Sequence, residues 1–155
     1  MNHSGLSDLE QLVEQRAIEK MMFDYSYSLD MNNLEALAAL FVEDCQVSYA
    51  PNFGAVGMDA YKKTLEGIGS FFSATSHHNS NIVVEFVSPT EAKVRSIVIA
   101  LHRYRKERPD GWLFGQYHDV VVKTGEGWKF KRRELRTTLT HDYHVKASNP
   151  IGRAE

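Results

Sequence analysis

Apolar residues recur three and four positions apart near the start of the chain. Leu9, Leu12, Val13, Ala17, Met21, Met22 and Tyr25 share one face of a helix. Ser7 can cap that helix, and Glu10 follows three residues later, the spacing of a capping box. The stripe runs to about Leu29. Asp30-Met31-Asn32-Asn33 breaks it and can cap a second, short helix over 34–41, with Leu34, Leu37, Ala38 and Phe41 on one face. Residues 45–49 read as a short strand closed by Pro51, Asn52 and Gly54, and residues 58–71 as a third helix with Tyr61, Leu65 and Ile68 inward. Then the pattern changes. Segments 81–87, 92–104, 112–123 and 128–139 are rich in Val, Ile and aromatics. Turn signals at Ser88-Pro89-Thr90, Arg108-Pro109-Asp110-Gly111 and Gly125-Glu126-Gly127 separate them.

Helices first and a meander after predict an α+β domain, with helices on one face of a curved, mostly antiparallel sheet. A strongly bent sheet covered in this way encloses a pocket, the default place for a ligand. The 155 residues suit a single domain over 1–155 with its core at about 7–140, large enough to fold without metal or disulfide. Residues 1–5 and the tail from about Ala147 are expected to be poorly ordered.

Charge and cysteine use narrow the function classes. A net charge of −2 provides no basic field for nucleic acid or an anionic membrane. Cys45 is the only cysteine, so an internal disulfide is excluded. No apolar run has the length of a membrane span, and the start of the chain lacks the pattern of a secretion signal. The expected location is the cytoplasm. The sequence contains no GxGxxG, Walker loop, GxSxG, HExxH or CxxC, which argues against nucleotide binding, serine hydrolysis and structural zinc.

What remains for chemistry is Asp, His and Tyr. Asp30 ends an amphipathic helix whose stripe points it inward; it is either a helix-end residue or a carboxylate that orients a histidine. His77 and His78 are adjacent, ahead of the strand at 81–87, so one should face in and one out. Alternation groups His77 with Asn81 and Val83, and His78 with Ile82 and Val84, without saying which face is the cavity. His102 shares a face with Val94, Val98 and Ala100, where a histidine is commonly a hydrogen-bonded core residue. Packing alone would account for Tyr49 and Tyr117. Asp30, His77 and His102 include the residue types of a facial metal triad, but no close-spaced ligand pair supports one and no metal is expected. His141 and His144 are read as surface residues of the tail. Lys129, Lys131, Arg132, Arg133 and Arg136 alternate with Trp128 and Phe130 and read as the solvated face of a strand.

Several of these segments resemble one family. A long helix ending in Asp30 is followed by Leu34-Glu35-Ala36-Leu37-Ala38-Ala39-Leu40-Phe41-Val42-Glu43-Asp44; His77 and Asn81 form an H-x-x-x-N; Tyr117-His118-Asp119 and Gly127-Trp128-Lys129-Phe130 follow later. Over about Leu9 to Leu139 the chain is similar to the SnoaL-like branch of the nuclear-transport-factor-2-like superfamily, which includes scytalone dehydratase and the dehydrochlorinase LinA. The resemblance implies a cone-shaped α+β barrel and a cofactor-independent lyase or isomerase acting on a small cyclic, ketone-like molecule. It implies catalytic roles for Asp30, His77, His102 and Tyr49, with Tyr25, Tyr117, Asn81 and Val98 as substrate contacts. Leu29 and Tyr117 depart from the dehydratase, which has a tyrosine and a cavity asparagine there, so the substrate need not be scytalone. Which histidine Asp30 contacts stays open. The resemblance also admits a non-catalytic binding or adaptor protein, or a polyketide cyclase or hydrolase with the same cavity. It implies a small-molecule partner and a homodimer or homotrimer.

Overall fold

A computed structural model describes residues 5–143. Helix α1 (Asp8–Asp30) starts in the expected capping box, with Ser7 and Glu10 bonded reciprocally. Its buried face begins at Ile18 and continues through Met21, Met22, Tyr25 and Leu29. The first turns of the predicted stripe, Leu9, Leu12, Val13 and Ala17, are exposed. Burying a side chain such as Ile18 or Met22 stabilises the fold by roughly 1.5–3 kcal/mol, so the second half of α1 is what docks the helix.

Asn32 closes α1 in the left-handed region at φ 53°, a conformation that asparagine tolerates better than most residues. Asn33 then caps α2 (Leu34–Ala39) by accepting from the Ala36 amide. This helix is shorter than expected. Phe41 belongs instead to β1 (Phe41–Ala50), which is twice the predicted strand and turns into β2 (Phe53–Val56). Pro51, Asn52 and Gly54 had suggested the end of a strand; they make a hairpin. Helix α3 (Met58–Phe71) occupies the expected span and buries Tyr61 and Leu65, with Ile68 packed against the core.

The sheet is completed by β3 (Phe72–Ser88), β4 (Glu91–Tyr104), β5 (Asp110–Thr124) and β6 (Gly127–Tyr143). Its order is β2-β1-β6-β5-β4-β3, antiparallel except where β1 runs parallel to β6. The sheet is open, with β2 and β3 at its edges. Bulges bend it in β3, between Ser80 and Val83, and in the β5–β6 pairing at Gly115. A side chain at Gly115 would put its Cβ 2.8 Å from the Arg136 carbonyl oxygen, so the two strands could not approach as they do. The helices cover the concave face, and the core lies between. This is the expected α+β cone, left open along one side.

The strand predicted from residue 81 begins at Phe72, so His77 lies inside a strand and not ahead of one. His141 lies within β6, opposite Trp112, and is exposed; His144 and the predicted tail lie outside the described residues. The basic run is not a solvated face throughout, since Arg133 is completely buried. Among the described residues, no helix is long and apolar enough to cross a membrane.

Candidate active site

A cavity of about 180 Å³ opens between α1, α3 and the concave face of the sheet. Tyr25, Leu29, Tyr49, Phe72, His77, Ala100, His102, Leu113 and Tyr117 are among the groups lining it. Most of that lining is aliphatic or aromatic, so the few polar groups are the ones that can orient a ligand.

Asp30 and His77 are joined directly. His77 Nδ1 lies 2.6 Å from Asp30 Oδ1, and the His77 backbone N–H donates to Asp30 Oδ2 at 2.8 Å. That amide is available because β3 is an edge strand, paired among the described residues with β4 alone. The Thr75 hydroxyl also donates to Asp30 Oδ1, at 2.9 Å. An ionised carboxylate only accepts hydrogen bonds, so His77 Nδ1 carries a proton towards Asp30 and Nε2 is the basic nitrogen of the neutral ring. Burial alone would raise the Asp30 pKa. The hydrogen bonds and charge of His77, with the bond from Thr75, outweigh it and hold the carboxyl below its ordinary value.

The His102 ring meets the His77 ring edge to face, with centroids 5.5 Å apart, and stacks on Phe72 at 4.6 Å. His78, next to the dyad, is exposed and bonds Ser76. On the α1 side, the hydroxyls of Tyr25 and Tyr49 are 2.8 Å apart, and that of Tyr61 lies 3.0 Å beyond Tyr49. Burial pushes the phenols of all three well above their ordinary values, so they stay protonated.

Under this wall lies an ion pair. Arg133 binds Asp119 through Nε and Nη2 at 3.0 and 2.9 Å, with both side chains fully buried. The guanidinium also lies over the rings of Tyr25 and Tyr117, each at 3.9 Å. Burial alone would favour a neutral Arg133; the Asp119 carboxylate and the two phenols more than reverse this and keep it charged.

The structure thus brings Asp30, His77, His102, Tyr49, Tyr25 and Tyr117 together, and Asp30 contacts His77. It does not bring in Asn81 or Val98. Asn81 is exposed at φ 50°, in the bulge of β3, and Val98 is fully buried in the core without lining the cavity. The bulge also reverses the facing of the strand. Thr75 and His77 face inward before it, whereas Ile82, Val84 and Phe86 pack inward after it and Val83 is exposed. Thr75, Tyr61 and Arg133 were not singled out from the sequence. Tyr61 was readable only as an inward helix residue, and Arg133 was hidden in a basic run. Among the described residues, no three His, Cys, Asp or Glu side chains are grouped to hold a metal ion.

Helices closing the concave side of an open, bent sheet over a cavity with a carboxylate–histidine pair define a protein of the nuclear-transport-factor-2-like fold. The model of the SnoaL-like domain matches residues 10–134, and the chain belongs to that family. A crystal structure from Novosphingobium aromaticivorans, provisionally assigned as a scytalone dehydratase, is 74% identical. The match covers 96% of this chain and 100% of that one, with a TM-score of 0.85. The fold is shared with the LinA structure at 19% identity, 94% and 99% coverage and a TM-score of 0.84. It is shared equally with the hexachlorocyclohexane dehydrochlorinase LinA-type3 of Novosphingobium barchaimii, at 18% identity, 91% and 100% coverage and a TM-score of 0.81. Comparison with curated proteins gives no match.

Proposed function

We propose that the protein is a cofactor-independent lyase or isomerase that performs acid–base chemistry on a small cyclic, ketone-like molecule. The observation that carries this reading is the Asp30–His77 pair in the wall of an otherwise apolar cavity, with the His102 ring facing it. His77 Nε2 removes a proton from the carbon next to a carbonyl. Asp30 holds the tautomer and stabilises the imidazolium that forms. Tyr49 donates a hydrogen bond to the carbonyl oxygen as it becomes an enolate. His102 delivers a proton to a departing hydroxyl, which completes an elimination; return of the proton to a neighbouring carbon would instead complete an isomerisation. Two relatives bear names of eliminations, a dehydratase and a dehydrochlorinase, which favours the first outcome. The cavity volume suits a ring system with few substituents, and its lining suits a ring with one or two oxygens.

The test is a panel of small cyclic hydroxyketones, followed by the ultraviolet absorbance of the conjugated product. Wild type is expected to turn over at least one member. His77→Gln keeps a hydrogen-bonding side chain but cannot cycle a proton, and should lose about 10²-fold or more in kcat. His78→Gln, altered on the opposite face, should stay near wild type. Full activity of His77→Gln on a true substrate would remove this reading.

A further inference from the structure

The proposed chemistry uses one tyrosine, Tyr49, yet three phenols are lined up. Tyr25 comes from α1, Tyr49 from β1 and Tyr61 from α3, and their hydroxyls form a chain with Tyr49 in the middle, at 2.8 and 3.0 Å. Tyr61 does not line the cavity and is 0% exposed. Its ring is fixed against Phe41, with centroids 4.4 Å apart. Tyr25 is held from behind by the Arg133 guanidinium on its ring face.

A phenol has one proton to donate and two lone pairs to accept with. Among the described residues, the hydrogen-bond partner of the Tyr61 hydroxyl is Tyr49. A buried O–H with no acceptor costs about 1–3 kcal/mol, whereas an oxygen that keeps an unused lone pair loses less. Tyr61 therefore donates and Tyr49 accepts. Tyr25 meets Tyr49 on its other side and can fill the second lone pair. Once both are filled, the proton of Tyr49 has no acceptor in the chain of phenols, and the cavity that Tyr49 lines is the direction left to it.

We propose that Tyr61 is a positioning residue: together with Tyr25 it donates to Tyr49, aims the single Tyr49 O–H at an oxygen of the bound molecule, and shares the negative charge drawn onto Tyr49 as that oxygen becomes an enolate. This rests on Tyr49 being the donor to the reacting carbonyl. The relay moves no proton through the protein. Its two outer phenols polarise the central one through hydrogen bonds that strengthen with its charge.

The relay can be measured without a substrate. Difluorotyrosine placed at position 49 titrates in an accessible range and can be followed by absorbance. Tyr61→Phe keeps the buried ring and removes only the hydroxyl. It should raise the pKa at position 49 by about one unit, the equivalent of one hydrogen bond to a charged group. Tyr25→Phe, which removes the other donor, should raise it by a similar step. Tyr27→Phe, on the exposed side of α1, should leave it unchanged. On whichever hydroxyketone is turned over, Tyr61→Phe should lower kcat about tenfold and leave KM within about twofold, since the lost interaction acts on the transition state. An unchanged pKa at position 49 in folded Tyr61→Phe overturns the relay. A raised pKa in a protein that turns over no hydroxyketone supports the relay and counts against the proposed function instead.

Discussion

Asp30 is the last residue of α1, where the negative end of the helix dipole disfavours a carboxylate. It is held there by bonds from outside the helix, and Thr75 supplies one. Because its folded-state pKa lies below the unfolded value, the stability Asp30 adds is complete above the ordinary carboxylate range and is lost as pH falls through the lowered value. Thr75→Val keeps the side-chain shape and deletes the donor. It should cost about 1 kcal/mol at pH 7, by urea denaturation. The loss should shrink as the pH drops through the acid range and the carboxyl is protonated. A deficit that is constant with pH would mean that Thr75 does not act through the Asp30 charge. Asp30 and His77 were legible as site candidates through the helix-end and H-x-x-x-N motifs of the family resemblance, and His102 and Tyr49 only through their strand positions in it, since packing alone would account for both. Thr75 was not, since one hydroxyl on an alternating strand looks like any other until the edge of β3 is seen to face the end of α1.

Between elements, the Arg133–Asp119 pair does what apolar contacts do elsewhere in the core. It ties β6 to β5 under the rings of Tyr25 and Tyr117. Removing one member leaves the other charged and buried. Arg133→Met or Asp119→Asn alone should therefore destabilise by about 3–5 kcal/mol, while the double variant Arg133→Met with Asp119→Leu should recover much of the loss. Equal destabilisation of the single and double variants in chemical denaturation would show that the charges are not what matters. This pair also marks a limit of pattern reading. Alternation correctly grouped His102 with Val98 and Ala100 on regular β4, but it assigned Arg133 to solvent because the β5–β6 register shifts between Val120 and Val121, leaving Lys131 unpaired and turning Phe130 and Arg133 to the same face. It failed again in β3, where the bulge at Asn81 moves His77 and Val83 to opposite faces. The β2 hairpin was missed for a related reason: Pro51 and Gly54 end a strand as readily as they turn one.

Across the whole molecule, the α+β class and the helix-covered pocket followed from the order of the patterns, and the cone shape from the family resemblance. The one pairing that neither alternation nor turn signals could supply is the parallel contact of β1 with β6, because nothing local in either strand names a partner so far along the chain. That contact has a consequence in time. Helices, hairpins and the β3–β6 meander join neighbours, and each can form as soon as its own residues are present. Gln46, Val47 and Ser48 cannot pair until Arg132, Arg133 and Glu134 exist. During synthesis, most of the chain must wait with β1 unpaired on its β6 side and the wall that carries Tyr49 unfinished. Such distant closure slows folding relative to a domain of similar size built from local contacts. A chain ending before Gly127 should remain protease-sensitive around β1, whereas one extended to Tyr143 should become resistant in a single step. Pulse proteolysis of stalled nascent chains of increasing length would locate that step; protection of β1 before residue 134 has emerged would show that the closure is not what completes the fold.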